Sequence, residues 1–139
     1  MARNVAQADL SFRPVSREIK VLLVDDDAEK RFLIATHIAR NFADAKISLV
    51  ECDSGASAIA HLEKDWVHAL VTDNSMSPVN GLELIEWVRK RDSSLPVIMV
   101  TGNPDIEKVA VKAGASAVLA SQQFPEIATV LKRLLPPVL

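Results

Sequence analysis

Short apolar runs alternate with amphipathic segments along most of this sequence, and the alternation constrains the fold more than any other feature. Two runs, VLLV at 21–24 and VIMV at 97–100, are apolar at every position, so helices must cover both faces of these strands. Strict alternation of strands and helices with short connections is typical of doubly wound α/β domains. We therefore predict a five-stranded parallel sheet in the order 2-1-3-4-5, flanked by five helices.

The boundaries of these elements follow from where the apolar pattern begins and ends. The predicted strands are IKVLLV from residue 19, KISLVE from 46, HALVT from 68, PVIMVT from 96 and SAVLA from 116. The predicted helices span 28–42, 54–65, 81–91, 104–113 and 125–135. Residues 1–18 show no sustained period, so we predict an N-terminal tail over 1–18 and one domain over 19–139.

Helix ends and one helix face can also be predicted. Asn80 with Glu83 three residues later is typical of a capped helix start, as is Asn103 followed by Pro104, and Gly114 is expected to end the fourth helix. In the first helix, apolar residues three or four positions apart predict a core-facing side. That side would consist of Ala28, Phe32, Ala35, Ala39 and Phe42.

Composition excludes several classes of protein. The 16 basic and 18 acidic residues give a net charge of −2, which offers no general attraction to nucleic acid or to an anionic membrane. Only four glycines are present, without a P-loop or GxGxxG pattern, which argues against nucleotide enzymes. The chain has a single cysteine, Cys52, and no apolar run long enough for a membrane span or a signal peptide. Both features favour the cytoplasm.

Acidic residues follow two of the predicted strands. In an open parallel sheet the functional crevice lies beyond the carboxyl ends of the strands, where the strand order reverses, here between the first and third strands. The first strand is followed by Asp25, Asp26 and Asp27, the third by Asp73, and the fourth ends in Thr101. Asp27 is better placed to cap the first helix than to bind a metal.

Grouping Asp25, Asp26 and Asp73 would store charge repulsion that a hard divalent cation relieves. Oxygen ligands alone favour Mg²⁺ over zinc or copper. Beside such a cation, Asp73 would be ionised and could attack a phosphoryl group without a general base, giving an acyl phosphate. The Thr101 hydroxyl would then face the phosphoryl oxygens.

These residues resemble the motifs of response-regulator receiver domains, over residues 19–135. The acidic pair of that family matches Asp25 and Asp26, its phospho-acceptor Asp73, its loop glycine Gly81 and its hydroxyl switch Thr101. The resemblance implies a flavodoxin-like receiver fold and a signalling module of a two-component phosphorelay, not an enzyme. It also implies Mg²⁺ held by Asp26 and Asp73, by Asp25 through water and by the backbone carbonyl of Ser75.

The resemblance further implies partners. A histidine kinase or phosphotransfer protein would phosphorylate Asp73, and a downstream protein would contact the face formed by the fourth helix, fifth strand and fifth helix. A homodimer is a further option, while nucleic acid and membrane are not expected to bind directly. We expect a stand-alone receiver without an output domain.

Of several departures from the family pattern, two concern the residues expected to carry the switch. The lysine expected after the fifth strand is replaced by Ser121, and the aromatic switch position is Val118. Lys30, Lys108 and Lys112 are candidates for supplying the missing charge, and their spacing does not choose among them. These departures favour an alternative, a pseudo-receiver that acts by protein contact without phosphorylation. A phosphohydrolase with an aspartate nucleophile is disfavoured, because it would need a general acid where Ser75 stands.

Overall fold

The computed structural model describes residues 18–42 and 46–136, and within them one parallel sheet has the order β2-β1-β3-β4-β5. The strands are β1 (Glu18–Val24), β2 (Lys46–Cys52), β3 (Ala69–Thr72), β4 (Val97–Thr101) and β5 (Ala117–Ala120). The helices are α1 (Ala28–Asn41), α2 (Gly55–Leu62), α3 (Gly81–Arg89), α4 (Glu107–Ala113) and α5 (Ile127–Leu134). The predicted fold class and strand order are confirmed.

The sheet separates two hydrophobic cores. On one face, β1, β3 and β4 pack against α1 and α5 through residues such as Leu23, Ile38 and Leu131. On the other face they pack against α2, α3 and α4 through residues such as Leu22 and Leu84. Burying each such side chain stabilises the fold by about 1.5–3 kcal/mol, so covering both faces holds the three central strands in place.

The predicted core-facing side of α1 is confirmed for Ala35 and Phe42 and wrong for its other three residues. The structure buries Ile34, Ala35, Ile38 and Phe42. It leaves Ala28 and Ala39 exposed, and Phe32 is 66% exposed. Apolar residues occur on more than one side of this helix, and packing against the sheet decides that the side with Ile34 and Ile38 is the buried one.

The predicted helix caps are confirmed. Asn80 and Glu83 form a reciprocal capping box at the start of α3, since each side chain accepts the backbone N–H of the other. The Asn103 side chain accepts the Asp105 N–H where a 3₁₀ turn, Pro104–Ile106, leads into α4. Gly114 ends α4 with a φ of 121°, a backbone conformation that a residue with a Cβ adopts only under strain.

Predicted element ends differ from the observed ones by a few residues. β1 begins at Glu18, which pairs with Lys46, so the first residue of the sheet lies at the end of the predicted tail. The last helical region begins as a 3₁₀ turn, Ser121–Glu126, before α5. The remainder of the predicted tail, 1–17, and the end of the predicted domain, 137–139, lie outside the described residues.

Candidate functional site

The carboxyl ends of β1 and β3 bring Asp25 and Asp73 side by side. Val24 and Thr72 are register partners in the sheet, and the two acids follow them directly. The Asp73 N–H donates to the Val24 carbonyl at 2.9 Å, so the β1–β3 pairing extends to Asp73 itself. The position of these carboxylates is therefore fixed by two buried strands.

Asp25, Asp26 and Asp73 form an acidic cluster. One carboxylate oxygen from each lies within 4.8 Å of the others. Asp25 is 1% and Asp73 9% exposed, whereas Asp26 faces solvent. The cluster thus has two carboxylates inside the protein and one at the surface, which leaves an open side for a cation or a phosphoryl donor.

Burial raises the pKa of the Asp25 carboxyl above its usual value, and the nearby Asp73 charge acts in the same direction. The Asp27 N–H, which donates to Asp25 Oδ1 at 2.9 Å, and the Lys30 ammonium oppose that shift. The pKa rises overall because burial disfavours the charged carboxylate more than the Asp27 N–H and Lys30 favour it. A bound cation would offset that cost.

Lys30 reaches into the same cluster from the first turn of α1. Its Nζ lies 3.3 Å from Asp25 Oδ2 and 3.4 Å from Asp73 Oδ1. It also donates to the Val100 carbonyl at 3.4 Å. Of the three lysines suggested by the sequence, this is the one that the structure places at the acids, whereas Lys108 and Lys112 are exposed on α4.

Asp27 sets the start of α1. Its Oδ1 accepts the N–H groups of Glu29 at 3.0 Å and Lys30 at 3.2 Å, which is the capping role predicted for it. Because this cap fixes the first turn of the helix directly behind the acids, it also fixes where the Lys30 side chain begins.

Thr101 ends β4 as a buried residue whose Oγ1 accepts the Asn103 N–H at 3.1 Å. Ser121 begins the 3₁₀ turn after β5, beside the Thr101–Gly102 loop: a Cβ placed on Gly102 would lie 3.7 Å from Ser121 Oγ. Thr101, the hydroxyl switch candidate, and Ser121, where the resemblance leads us to expect a lysine, are therefore neighbours at the ends of β4 and β5.

The loop after β3 carries Ser75, which is exposed. Asn74 in the same loop contacts the start of α3, a role that we did not predict from the sequence. Asn74 accepts the Gly81 N–H through its carbonyl and the Leu82 N–H through its Oδ1, each at 3.0 Å. A Cβ on Gly81 would collide with the Asp73 carbonyl, so α3 can begin this close to Asp73 only with glycine there. The position of Asn74 directly after Asp73 could have indicated this contact, because an asparagine side chain after a strand often accepts backbone N–H groups.

Comparison with known proteins decides the family. The family model of the response regulator receiver domain matches residues 21–131. The chain belongs to the response-regulator receiver family.

Relatives of this receiver domain include a chemotaxis protein CheY homolog of Campylobacter jejuni, 35% identical over 114 residues, covering 78% of this chain and 85% of that protein. The C4-dicarboxylate transport transcriptional regulatory protein DctD of Pseudomonas aeruginosa is 31% identical over 116 residues, covering 82% of this chain. The chain spans only 24% of the length of that regulator.

The fold of the receiver domain also has close structural neighbours. The receiver domain of the Francisella response regulator 1452 superposes with a TM-score of 0.74 at 23% identity, covering 84% of this chain and 95% of that one. This likeness supports the flavodoxin-like receiver fold. None of the helices in the described part of the chain has the length and apolar character needed to span a membrane.

Proposed function

We propose that this receiver domain accepts a phosphoryl group on Asp73 from a phosphohistidine of a histidine kinase or phosphotransfer protein. The observation that carries the proposal is the placement of the Asp73 carboxylate at the end of a buried strand, with oxygens of Asp25 and Asp26 within 4.8 Å. Three acids are costly to group in this way, and a phosphorylation site that needs a cation gives a physical reason for grouping them.

The donor atoms fit Mg²⁺. The cluster offers carboxylate oxygens, which are hard ligands, and its exposed side leaves room for water and a phosphoryl oxygen. Asp26 and Asp73 would hold the ion directly, Asp25 through water, and Ser75 through its backbone carbonyl. When bound, Mg²⁺ supplies positive charge that offsets the negative charge on the transferring phosphoryl group.

In the proposed transfer, a carboxylate oxygen of Asp73 attacks phosphorus. The new O–P bond forms as the P–N bond to the donor imidazole breaks, and the electron pair stays on that nitrogen. No base on this chain is needed, because a carboxylate attacks phosphorus without first giving up a proton. The Thr101 Oγ1 accepts the Asn103 N–H, which leaves its hydroxyl proton to donate to a phosphoryl oxygen.

The proposal extends to the partners and place of action. A downstream protein, or a second copy of the chain, would dock on the face of α4, β5 and α5, where Val109 and Val111 are more than half exposed. The net charge of −2 favours protein partners over nucleic acid or membrane. We place the receiver domain in the cytoplasm and keep its predicted bounds of 19–139 after a tail, except that Glu18, predicted to end the tail, belongs to β1.

Intact-mass spectrometry tests this function. The protein is incubated with acetyl phosphate and Mg²⁺, beside Asp73→Asn and beside wild type with EDTA. We expect one added phosphoryl group on the wild type only in the presence of Mg²⁺, and none on Asp73→Asn. An unmodified wild type after prolonged incubation would instead support the pseudo-receiver, which acts by contact alone.

A further inference from the structure

Lys30 occupies a place in the acidic cluster that the family resemblance assigns to no residue. We propose that Lys30 supplies the positive charge that holds the phosphoryl group on Asp73, in place of the lysine expected at Ser121. This inference rests on the proposed phosphorylation of Asp73 and deepens it.

The position of the ammonium group is defined by oxygens at the ends of three strands. Lys30 Nζ lies 3.3 Å from Asp25 Oδ2 after β1, 3.4 Å from Asp73 Oδ1 after β3, and 3.4 Å from the Val100 carbonyl in β4. The group therefore already contacts the carboxylate that would carry the phosphoryl group. Oxygens added to Asp73 would lie within reach of the same cation.

The position of Lys30 on α1 indicates that the nearby acids favour a lysine there. A lysine in the first turn of a helix opposes the positive end of the helix dipole, where acidic residues are normally favoured. The Asp27 cap nevertheless places Lys30 there by accepting its backbone N–H. The unfavourable position is explained if the ammonium group is needed at the strand ends, where its Nζ lies within 3.4 Å of Asp25, Asp73 and the Val100 carbonyl.

In the described part of the chain, the end of β5 provides no such charge. Ser121 is uncharged, and it begins the 3₁₀ turn beside Gly102. Within residues 18–42 and 46–136, the salt bridges to Asp25 and Asp73 come from Lys30. The positive charge next to a phosphoryl group on Asp73 would thus come from Lys30 on α1 and not from a residue at the end of β5.

The proposal predicts opposite effects on two measurable properties. With Asp73 unmodified, the Lys30 ammonium neutralises carboxylates that Mg²⁺ would use, so it weakens cation binding. Once phosphoryl transfer begins, the same ammonium stabilises the added negative charge, so it speeds transfer. Its side chain is 22% exposed, which leaves its end able to shift from the carboxylates towards the phosphoryl oxygens.

The experiment compares wild type with Lys30→Met, which removes the charge and keeps a long side chain. Lys30→Gln serves as a second variant if Lys30→Met does not fold, and Lys108→Met, on exposed α4, is the matched control. Labelling by acetyl phosphate is followed at saturating Mg²⁺, and Mg²⁺ affinity is measured by calorimetry without a phosphodonor.

We expect Lys30→Met to be labelled about tenfold more slowly or worse, equivalent to about 1.4 kcal/mol. We expect the same variant to bind Mg²⁺ about threefold to tenfold more tightly, because a competing positive charge has been removed. Lys108→Met should remain within about twofold of wild type in both assays. A merely structural defect would not slow labelling while tightening Mg²⁺ binding.

Labelling of a folded Lys30→Met at or above the wild-type rate would overturn the proposal, as would unchanged or weaker Mg²⁺ binding. If the wild type takes up label and Lys30→Met does so equally well, only the role of Lys30 is refuted. Absence of label on the wild type would refute the proposed function and, with it, this role of Lys30.

Discussion

Replacing Asp26 with Asn should stabilise the protein when no divalent cation is present. Two full charges separated by the 4.8 Å that bounds the cluster repel by about 3.5 kcal/mol at an effective dielectric of about 20, and by about 0.9 kcal/mol in bulk water. Asp26 faces solvent, so the lower value applies to each of its two interactions, and Lys30 offsets part of both. We expect a net gain of about 1 kcal/mol in the free energy of unfolding.

Urea unfolding in EDTA at low ionic strength measures this gain as a higher midpoint with an unchanged slope. Because the repulsion is partly screened, the gain should shrink when the ionic strength is raised. Glu86→Gln removes an exposed negative charge from α3, outside the cluster, and should change stability by less than about 0.5 kcal/mol.

Adding Mg²⁺ should make the wild type more stable than Asp26→Asn. Only the folded state gathers the three acids, so Mg²⁺ stabilises the wild type by mass action, and Asp26→Asn should gain much less from it. The reasoning is refuted if Asp26→Asn is no more stable than wild type in EDTA, or if both proteins gain equally from Mg²⁺.

Three further predictions concern single side chains. Because Lys30 is proposed to supply the charge, adding Ser121→Lys to the wild type should change the labelling rate by less than about threefold. Adding Ser121→Lys to Lys30→Met should recover much of the rate lost in that variant. A large gain in the wild type would contradict this. Burial lowers the pKa of His37, whose Nε2 accepts the Ala128 N–H, so the unfolded state binds the proton more readily than the folded state. Stability should therefore fall as the pH drops through the unfolded value of 6.5, and melting curves of His37→Gln should show a smaller fall; an equal fall in both proteins would count against it. Burial raises the pKa of the Cys52 thiol, so a thiol reagent at about pH 8 should react slowly until urea unfolds the chain, and rapid reaction of the folded protein would disagree.

Much of the fold and the acidic cluster could be predicted because each depends on local pattern. The all-apolar β1 and β4 required cover on both faces, which led to the parallel sheet. Given that sheet, Asp25 and Asp73 had to meet, because carboxyl ends of neighbouring parallel strands share one edge. The caps at Asn80 and Asn103 were equally local, since a cap depends on residues within one turn.

The buried side of α1 and the choice of Lys30 could not be predicted, because both depend on tertiary contact. Phe32 and Ile34 are both apolar, and only packing on the sheet decides that Ile34 is buried and Phe32 is exposed. Likewise, Lys30 and Lys108 are both lysines on helices that follow functional strands. The sequence does not show which ammonium group reaches the carboxylates, because that depends on the orientation of each helix over the sheet.

The position of the phosphoryl group on the labelled protein tests the central claim most directly. The chain is incubated with acetyl phosphate and Mg²⁺, reduced with borohydride to convert an acyl phosphate into homoserine, digested and sequenced by fragmentation. We predict homoserine at position 73 and unmodified aspartate at 25, 26 and 27. Homoserine at one of those other positions, or unmodified aspartate at all four, would contradict the assignment of Asp73 as the phospho-acceptor.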